Sequence, residues 1–234
     1  DLSNTQWALM GLDAWGNLSK NDGMWARALV FLEKCQSNIS GGFTYMPMEM
    51  GGPKRGPGGP GPMDPSYGSM SAAGLWSLML CGLNDVDPRV QAAIQWVERN
   101  YTWKENAHQG DQWLMYYYIT LAKALTMVGM EYINVVNGTY VNDGAHNWTN
   151  NMTENLTAMK KLNESYWEES SNGPVLATAY AILCLETQTL PQGANLSAVF
   201  TLHSNATLHI YDDKGRHIGL VLDTDKIEVG IPGA

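Results

Sequence analysis

The stretch Met70-Ser-Ala-Ala-Gly-Leu-Trp-Ser-Leu-Met-Leu-Cys-Gly82 carries no charged side chain, packs small residues at its start and meets a glycine where a helix would stop. A helix that is apolar on nearly every side is one buried on every side. Three other segments share this texture: Asn4-Thr-Gln-Trp-Ala-Leu-Met-Gly-Leu12, Met115-Tyr-Tyr-Tyr-Ile-Thr-Leu-Ala-Lys-Ala-Leu-Thr-Met-Val-Gly129 and Leu176-Ala-Thr-Ala-Tyr-Ala-Ile-Leu-Cys-Leu-Glu186. The first three are each followed by a more amphipathic stretch, at about 22–36, 87–101 and 147–163. There, Met24-Trp25…Ala28-Leu29…Phe31-Leu32 and Val90…Ala93-Ile94…Trp96-Val97 place apolar residues at i, i+3/i+4 with charges between. Inner apolar helices alternating with outer amphipathic ones build a curved double layer, an α/α toroid or solenoid. The expected fold is therefore mostly α, a partial ring of about seven helices over residues 1–191.

Working outward, the segment Gly51-Gly-Pro-Lys-Arg-Gly-Pro-Gly-Gly-Pro-Gly-Pro-Met-Asp-Pro65 lacks the donors and stiffness for helix or central strand, and reads as a long surface loop. After Pro191 the apolar period changes from helical to alternating. Ala198-Val-Phe-Thr-Leu-His, Ala206-Thr-Leu-His-Ile-Tyr, His217-Ile-Gly-Leu-Val-Leu and Lys226-Ile-Glu-Val-Gly-Ile read as short strands, with Asp212-Asp-Lys-Gly215 as a hairpin turn. Residues 197–234 are thus expected to form a small antiparallel β module whose core is thin and whose edge needs covering. The chain opens Asp1-Leu2-Ser3 without an initiator Met, and is read as a mature or partial chain.

A net charge of -9 and a pI near 4.9 argue against a nucleic-acid partner, which needs clustered Lys and Arg. No apolar run approaches the ~20 residues that span a bilayer. Cys35, Cys81 and Cys184 are far apart in apolar helical stretches and read as small buried hydrophobes rather than as a disulfide or zinc set.

Asn-x-Ser/Thr acceptor triplets begin at Asn17, Asn38, Asn100, Asn137, Asn147, Asn151, Asn155, Asn163, Asn195 and Asn205. More than half of all the Asn residues sit in one, where composition alone gives roughly two or three. Asn147, Asn151 and Asn155 are spaced by four, so on a helix they line one face, and a glycan cannot be buried. The expected location is extracellular, at the cell surface.

The segments Ser3-Asn4-Thr5-Gln6-Trp7-Ala8-Leu9-Met10-Gly11-Leu12, Gln36…Gly41-Gly42-Phe43-Thr44-Tyr45, Ser69-Met-Ser-Ala-Ala-Gly-Leu75 and Leu176-Ala-Thr-Ala-Tyr-Ala-Ile-Leu183 resemble the prenyltransferase and squalene oxidase repeat over about residues 1–190. That repeat is shared by squalene–hopene cyclases, protein prenyltransferase β-subunits and complement-like thioester domains. Within the superfamily the chain is most similar to secreted prokaryotic toroid proteins, and Thr201–Gly219 looks like a β module of archaeal, notably methanogen, surface proteins. The resemblance implies about twelve helices in a complete ring. With seven here, either a half is missing or the half-ring closes against another subunit.

The family's chemistries fail on residue identity. The acidic Asp-x-Asp-Asp cluster of terpene cyclases has no match, since Asp85-Val-Asp87 runs into Pro88 while Asp212-Asp213 and Asp223-Thr-Asp225 sit in β turns. The cysteines lack Asp or His partners at the zinc spacing of prenyltransferases, and Gly-Cys-Gly-Glu-Gln is missing. His108, Asp111, Asp143 and His146 flank the fifth helix and are weak metal candidates; solvated loop residues are the preferred reading, and no cofactor is expected. Trp7, Trp76, Trp113, Tyr116, Tyr117 and Tyr118 lie on inner helices and either line a cavity or fill the ring core.

The sequence thus reads as a non-catalytic, heavily N-glycosylated toroid: a structural or scaffold subunit of a surface layer or filament. Its expected partners are other protein subunits, through the ring and the β tail, and covalent N-glycans. The alternatives are an enzyme of terpenoid cyclase or prenyltransferase type, or a module binding an isoprenoid or sugar on the concave face.

Overall fold

A computed structural model of the chain describes residues 1–50, 64–160 and 166–187 and the strand segments 199–202, 208–211, 217–220 and 227–229. The chain divides into two compact units, Asp1–Gln192 and Gly193–Ala234. Among the described residues the first unit holds seven helices: α1 (Leu2–Trp15), α2 (Gly23–Cys35), α3 (Gly68–Leu80), α4 (Pro88–Arg99), α5 (Leu114–Val128), α6 (Trp148–Met159) and α7 (Gly173–Glu186). No helix among the described residues is long and apolar enough to cross a membrane.

The odd-numbered helices pack in chain order, α1 on α3, α3 on α5 and α5 on α7, while α2 lies on α1 and α3 and α4 lies on α3. Burial follows this order. Nearly all of α3, and α5 from Leu114 to Ala122, are buried, as an all-apolar helix requires. The same expectation fails for α1 and α7. These bury one stripe each, Leu2, Gln6 and Leu9 in α1 and Ala177, Ala181 and Cys184 in α7. Among the described residues they are the end members of the row, each packed mainly on one odd-numbered helix, and Val175 is 82% exposed.

The outer helices start with their own caps. Asp22 accepts from Met24 N (2.8 Å), Asp87 from Arg89 N (2.9 Å) and Asn147 from Asn150 N (2.9 Å), each satisfying one orphan donor of a first turn. The inner helices also draw on neighbouring loops, at α1 in addition to its own cap, Asp1 accepting from Asn4 N (3.0 Å). Leu2 N of α1 donates to Tyr45 O (2.9 Å) in the loop leading into α3. At the start of α3, Gly68 N donates to Ala107 O and Ser69 N to Asn106 Oδ1 (both 2.8 Å), in the loop leading into α5. At the start of α5, Trp113 N donates to Ser171 Oγ (3.0 Å) and Met115 N to Glu169 Oε2 (2.9 Å), in the loop leading into α7. The starts of α1, α3 and α5 are thus each closed by the approach to the next inner helix.

The Gly41-Gly42-Phe43 turn seats the layers on one another. Phe43 is fully buried, its N–H donates to Ser71 Oγ of α3 (2.9 Å), and its ring lies against Gly74. Arg89 on α4 ties the outer layer together, pairing with Asp87 (2.8 Å) and with Glu33 of α2. The three cysteines are free and buried, and burial pushes the Cys35 thiol up to about 12 and that of Cys81 to about 11.

A two-stranded antiparallel hairpin, β1 (Tyr132–Val135) with β2 (Gly144–Asn147), precedes α6 and was not expected from the sequence. Ile133 and Val135 are buried while Tyr132 and Asn134 are exposed, the alternation of a half-buried strand. The second unit carries four antiparallel strands in the order β3 (Val199–Leu202), β4 (Leu208–Tyr211), β5 (His217–Leu220) and β6 (Ile227–Val229). The hairpin turn expected at 212–215 lies outside the described residues.

A Cβ added to Gly74 would stand 2.3–2.5 Å from three Phe43 ring carbons. Ala normally stabilises a helix interior relative to Gly by about 1 kcal/mol. Here overpacking reverses the sign, and Gly74→Ala is expected to cost about 1–3 kcal/mol, roughly 2–12 °C in Tm by calorimetry. An unchanged or raised Tm refutes the tight seat of Phe43 on α3.

Candidate functional site

A cleft of about 570 Å³ opens where the first turns of the four inner helices meet. Ser3, Asn4 and Trp7 come from α1, Ser69 and Met70 from α3, Tyr116 from α5, and Leu176 and Tyr180 from α7. The rest of the lining comes from the capping loops and the residues just before each helix: Tyr45 and Tyr67 before α3, Gln109, Gln112 and Trp113 before α5, and Asn172 before α7. The loops that close the helices therefore also wall the cleft.

Three rings form its floor. Trp7 and Tyr180 stack nearly parallel across it (centroids 6.4 Å, 9°), and Tyr116 sits 6.3 Å from Trp7 and 6.4 Å from Tyr180. Tyr116 donates to Gln6 Oε1 (3.1 Å), which fixes the ring's tilt. Six of the 14 lining residues are aromatic and none is Asp, Glu, Lys, Arg or His, against 10% and 16% in the chain as a whole. At chain composition about two charged residues would be expected in such a lining, so charge is excluded from it. The tyrosines do not supply charge either, because burial raises the hydroxyl pKa of Tyr67, Tyr116 and Tyr180. The nearby Glu169 carboxylate is spent on the start of α5 and accepts from the Asn172 amide; burial raises its pKa against the lowering by the Met115 and Leu114 N–H groups.

Of the six aromatics expected around a cavity, Trp7, Trp113 and Tyr116 line the cleft. The other three do not. Trp76 is buried behind Trp7 in an edge contact (6.1 Å), Tyr117 donates to Thr102 O (2.9 Å) and Tyr118 to Trp103 O. Successive residues on a helix point about 100° apart, so 116, 117 and 118 cannot face one space. The sequence reading missed Tyr45, Tyr67 and Tyr180 and the amides Asn4, Gln109, Gln112 and Asn172. Tyr180 alone carried a usable signal, as an aromatic on an otherwise small-residue apolar helix.

The four weak metal candidates are held by unrelated partners. His108 Nδ1 donates to Ser66 O (3.1 Å) with its ring edge-on to Trp96 (5.4 Å). His146 Nε2 donates to Asn142 O (2.8 Å). Asp111 accepts weakly from Ser170 Oγ (3.5 Å). Asp143 accepts from Gly138 N (2.9 Å), and the Gly138 and Asn137 N–H groups hold its carboxyl below the usual range. Among the described residues no three His, Cys, Asp or Glu side chains converge as a metal set would.

The acceptor asparagines differ in access. Asn17, Asn38 and Asn137 are exposed. Asn147, Asn151 and Asn155 line a half-buried flank of α6 rather than a fully solvated face, because Trp148, Met152 and Leu156 beside them form its buried stripe. Asn147 Oδ1 caps the helix, Asn151 Oδ1 accepts from Tyr101 Oη (2.9 Å), and Asn155 Nδ2 donates to Asn151 O (2.8 Å). Asn100 is buried, with Nδ2 donating to Trp96 O (2.9 Å), and Tyr101 and Thr102 of its triplet are buried too. The Asn100 triplet is therefore buried in the folded chain, unlike the exposed Asn17, Asn38 and Asn137. Asn163, Asn195 and Asn205 lie outside the described residues.

Peptide mapping by mass spectrometry of chain purified from its natural source is expected to find glycan on Asn17, Asn38 and Asn137 and none on Asn100. A sugar on Asn100, or bare asparagine at all three exposed positions, contradicts this surface assignment.

No family model matches the chain, and neither a curated protein nor a solved structure does.

Proposed function

We propose that the chain is an extracellular, N-glycosylated module whose helical unit binds an uncharged ligand in the cleft between the first turns of α1, α3, α5 and α7, without transforming it. The composition of the lining carries this reading: six aromatic side chains, four amides and no acid or base. Ligand clefts of about 300–1,000 Å³ bind through apolar walls and a few placed polar groups, and this cleft has that size and mix. General acid–base work is done most often by His, Asp, Glu or Lys, and the described lining holds none of these. The number of acceptor triplets and the exposure of Asn17, Asn38 and Asn137 support the extracellular part. The packing of odd helices in chain order, with α2 and α4 laid outside, supports reading the first unit as part of an α/α toroid.

Thermal shift measurements test the ligand's charge class. With an uncharged ligand at about 100 times its Kd, Tm is expected to rise by roughly 5–10 °C, equally near pH 5 and near pH 9, because the described lining holds no carboxylate, amine or imidazole. A stabilisation confined to one end of that range, or produced only by charged compounds, overturns the proposal.

One observation favours assembly as a second role. The start of α7 has no side-chain cap and no following loop to close it among the described residues, and Val175 and Ile182 beside it are 82% and 49% exposed. In a layer or filament this flank would receive a neighbouring subunit. Val175→Glu is expected to lower the association state seen by analytical ultracentrifugation while leaving Tm within about 1 °C. A chain that sediments as a monomer before and after the change removes the assembly reading.

A further inference from the structure

We propose that the cleft is a saccharide site in which Trp113 is the stacking platform, an inference that rests on the uncharged-ligand reading above. Trp113 has φ 56° and ψ 33°, the left-handed region that a bulky side chain adopts only when its surroundings force it. The surroundings do so from both sides, since its N–H donates to Ser171 Oγ (3.0 Å) and its carbonyl accepts from Tyr117 N (2.9 Å). The strain places a large ring at the cleft with half of it exposed. Trp7, Tyr116 and Tyr180 pack against one another, whereas among the described residues Trp113 makes no ring contact. A strained backbone that holds an unpacked indole in water gives the fold no packing advantage, but it presents a flat apolar face to a ligand.

The same cleft is lined by polar groups with capacity to spare. Tyr67 is only 6% exposed, and its hydroxyl has no partner among the described residues. Ser69 is 1% exposed, and its Oγ accepts from Asn106 Nδ2 (3.1 Å), leaving its own proton to donate. Gln112 adds an amide whose side chain is likewise unpartnered among the described residues. A pyranose combines the two demands. Its C–H face is apolar and stacks on an aromatic ring, while its edge carries hydroxyls that both donate and accept. An isoprenoid would cover Tyr67, Ser69 and Gln112 without pairing them, at a desolvation cost for each. An anionic sugar would find no cation in the lining.

Isothermal titration of the full chain with maltotetraose, cellotetraose and mannotetraose, and with tetragalacturonate, geranylgeraniol and adenosine, tests the ligand class. At least one neutral tetrasaccharide is expected to bind. For it, Trp113→Phe stays within about threefold in Kd, while Trp113→Ala and Trp113→Gly each weaken binding about tenfold or more. Trp113→Gly is also expected to melt about 2–4 °C above Trp113→Ala, because glycine alone adopts this φ freely. Binding of geranylgeraniol or adenosine with no saccharide binding overturns the saccharide assignment and leaves the uncharged-ligand reading standing. Binding of tetragalacturonate alone, or of nothing, overturns both. Full affinity in Trp113→Ala removes the platform, and a Trp113→Ala chain more stable than Trp113→Gly removes the strain.

Discussion

The first unit depends on one repeated interaction: the starts of α1, α3 and α5 are each closed by the loop that leads into the next inner helix. Tyr45 O serves α1, Asn106 Oδ1 and Ala107 O serve α3, and Glu169 and Ser171 serve α5. A helix start leaves four N–H groups without an intrahelical partner, and burying them bare costs a full desolvation penalty each. A capping side chain of the helix's own suffices on an exposed helix, and α2, α4 and α6 use one. Inside the row the next loop takes that place at α3 and α5 and adds to the Asp1 cap at α1, and in doing so it brings these starts to one place. The cleft is a consequence of this relay. Its lining residues Tyr45, Gln109, Gln112 and Asn172 belong to the loops that carry the caps.

The same constraint explains the glycines at the layer contacts. With the loops pinned at helix starts, the Gly41–Phe43 turn runs close under α3 and α4. A Cβ at Gly42 would lie 2.4 Å from Trp96 Nε1, and one at Gly41, which also has φ +84°, would lie 2.3 Å from Ala92 O. Only glycine lets backbone approach backbone and indole at this range. Gln36 completes the seat, its Nε2 donating to Gly41 O (3.0 Å) and to Arg89 O (2.8 Å), so that the end of α2, the turn and the start of α4 are one hydrogen-bonded block. The Gln36…Gly41-Gly42-Phe43 pattern is thus explained by packing, with no ligand required.

The helices were legible because their signal is local. Apolar period and closing glycines located all seven, and alternation located the four strands of the second unit. What depended on neighbours was not legible. Segments as apolar as Leu176–Glu186 predict burial all round, yet α7 ends the row and leaves Val175 and Ile182 outside. The β1–β2 hairpin is brief, its Ile133 and Val135 alternating over too few residues to stand out before Gly138 and Gly144. The acceptor spacing Asn147, Asn151, Asn155 correctly gave one flank of a helix, but not that Tyr101 packs a hydroxyl onto it. The site was the least legible part, since its amides come from α1 and from two loops far apart in sequence that only the fold brings together.

The exclusion of charge from the cleft is itself a physical choice in a chain of net charge -9. Four helix starts directed at one space produce a positive potential there, and a carboxylate would be the cheapest side chain to place in it. The fold does admit one, Glu169, but uses it up on Met115 N, where burial opposes its ionisation, and keeps it out of the lining. What faces the open space is instead aromatic or amide. Uncharged donors and acceptors lose less on desolvation than ions do, so such a lining can exchange water for a neutral ligand with little cost to either partner. It also leaves discrimination to shape and hydrogen-bond pairing. The strained Trp113 belongs in that setting: a rigid ring held out by backbone geometry loses little side-chain entropy when a ligand covers it.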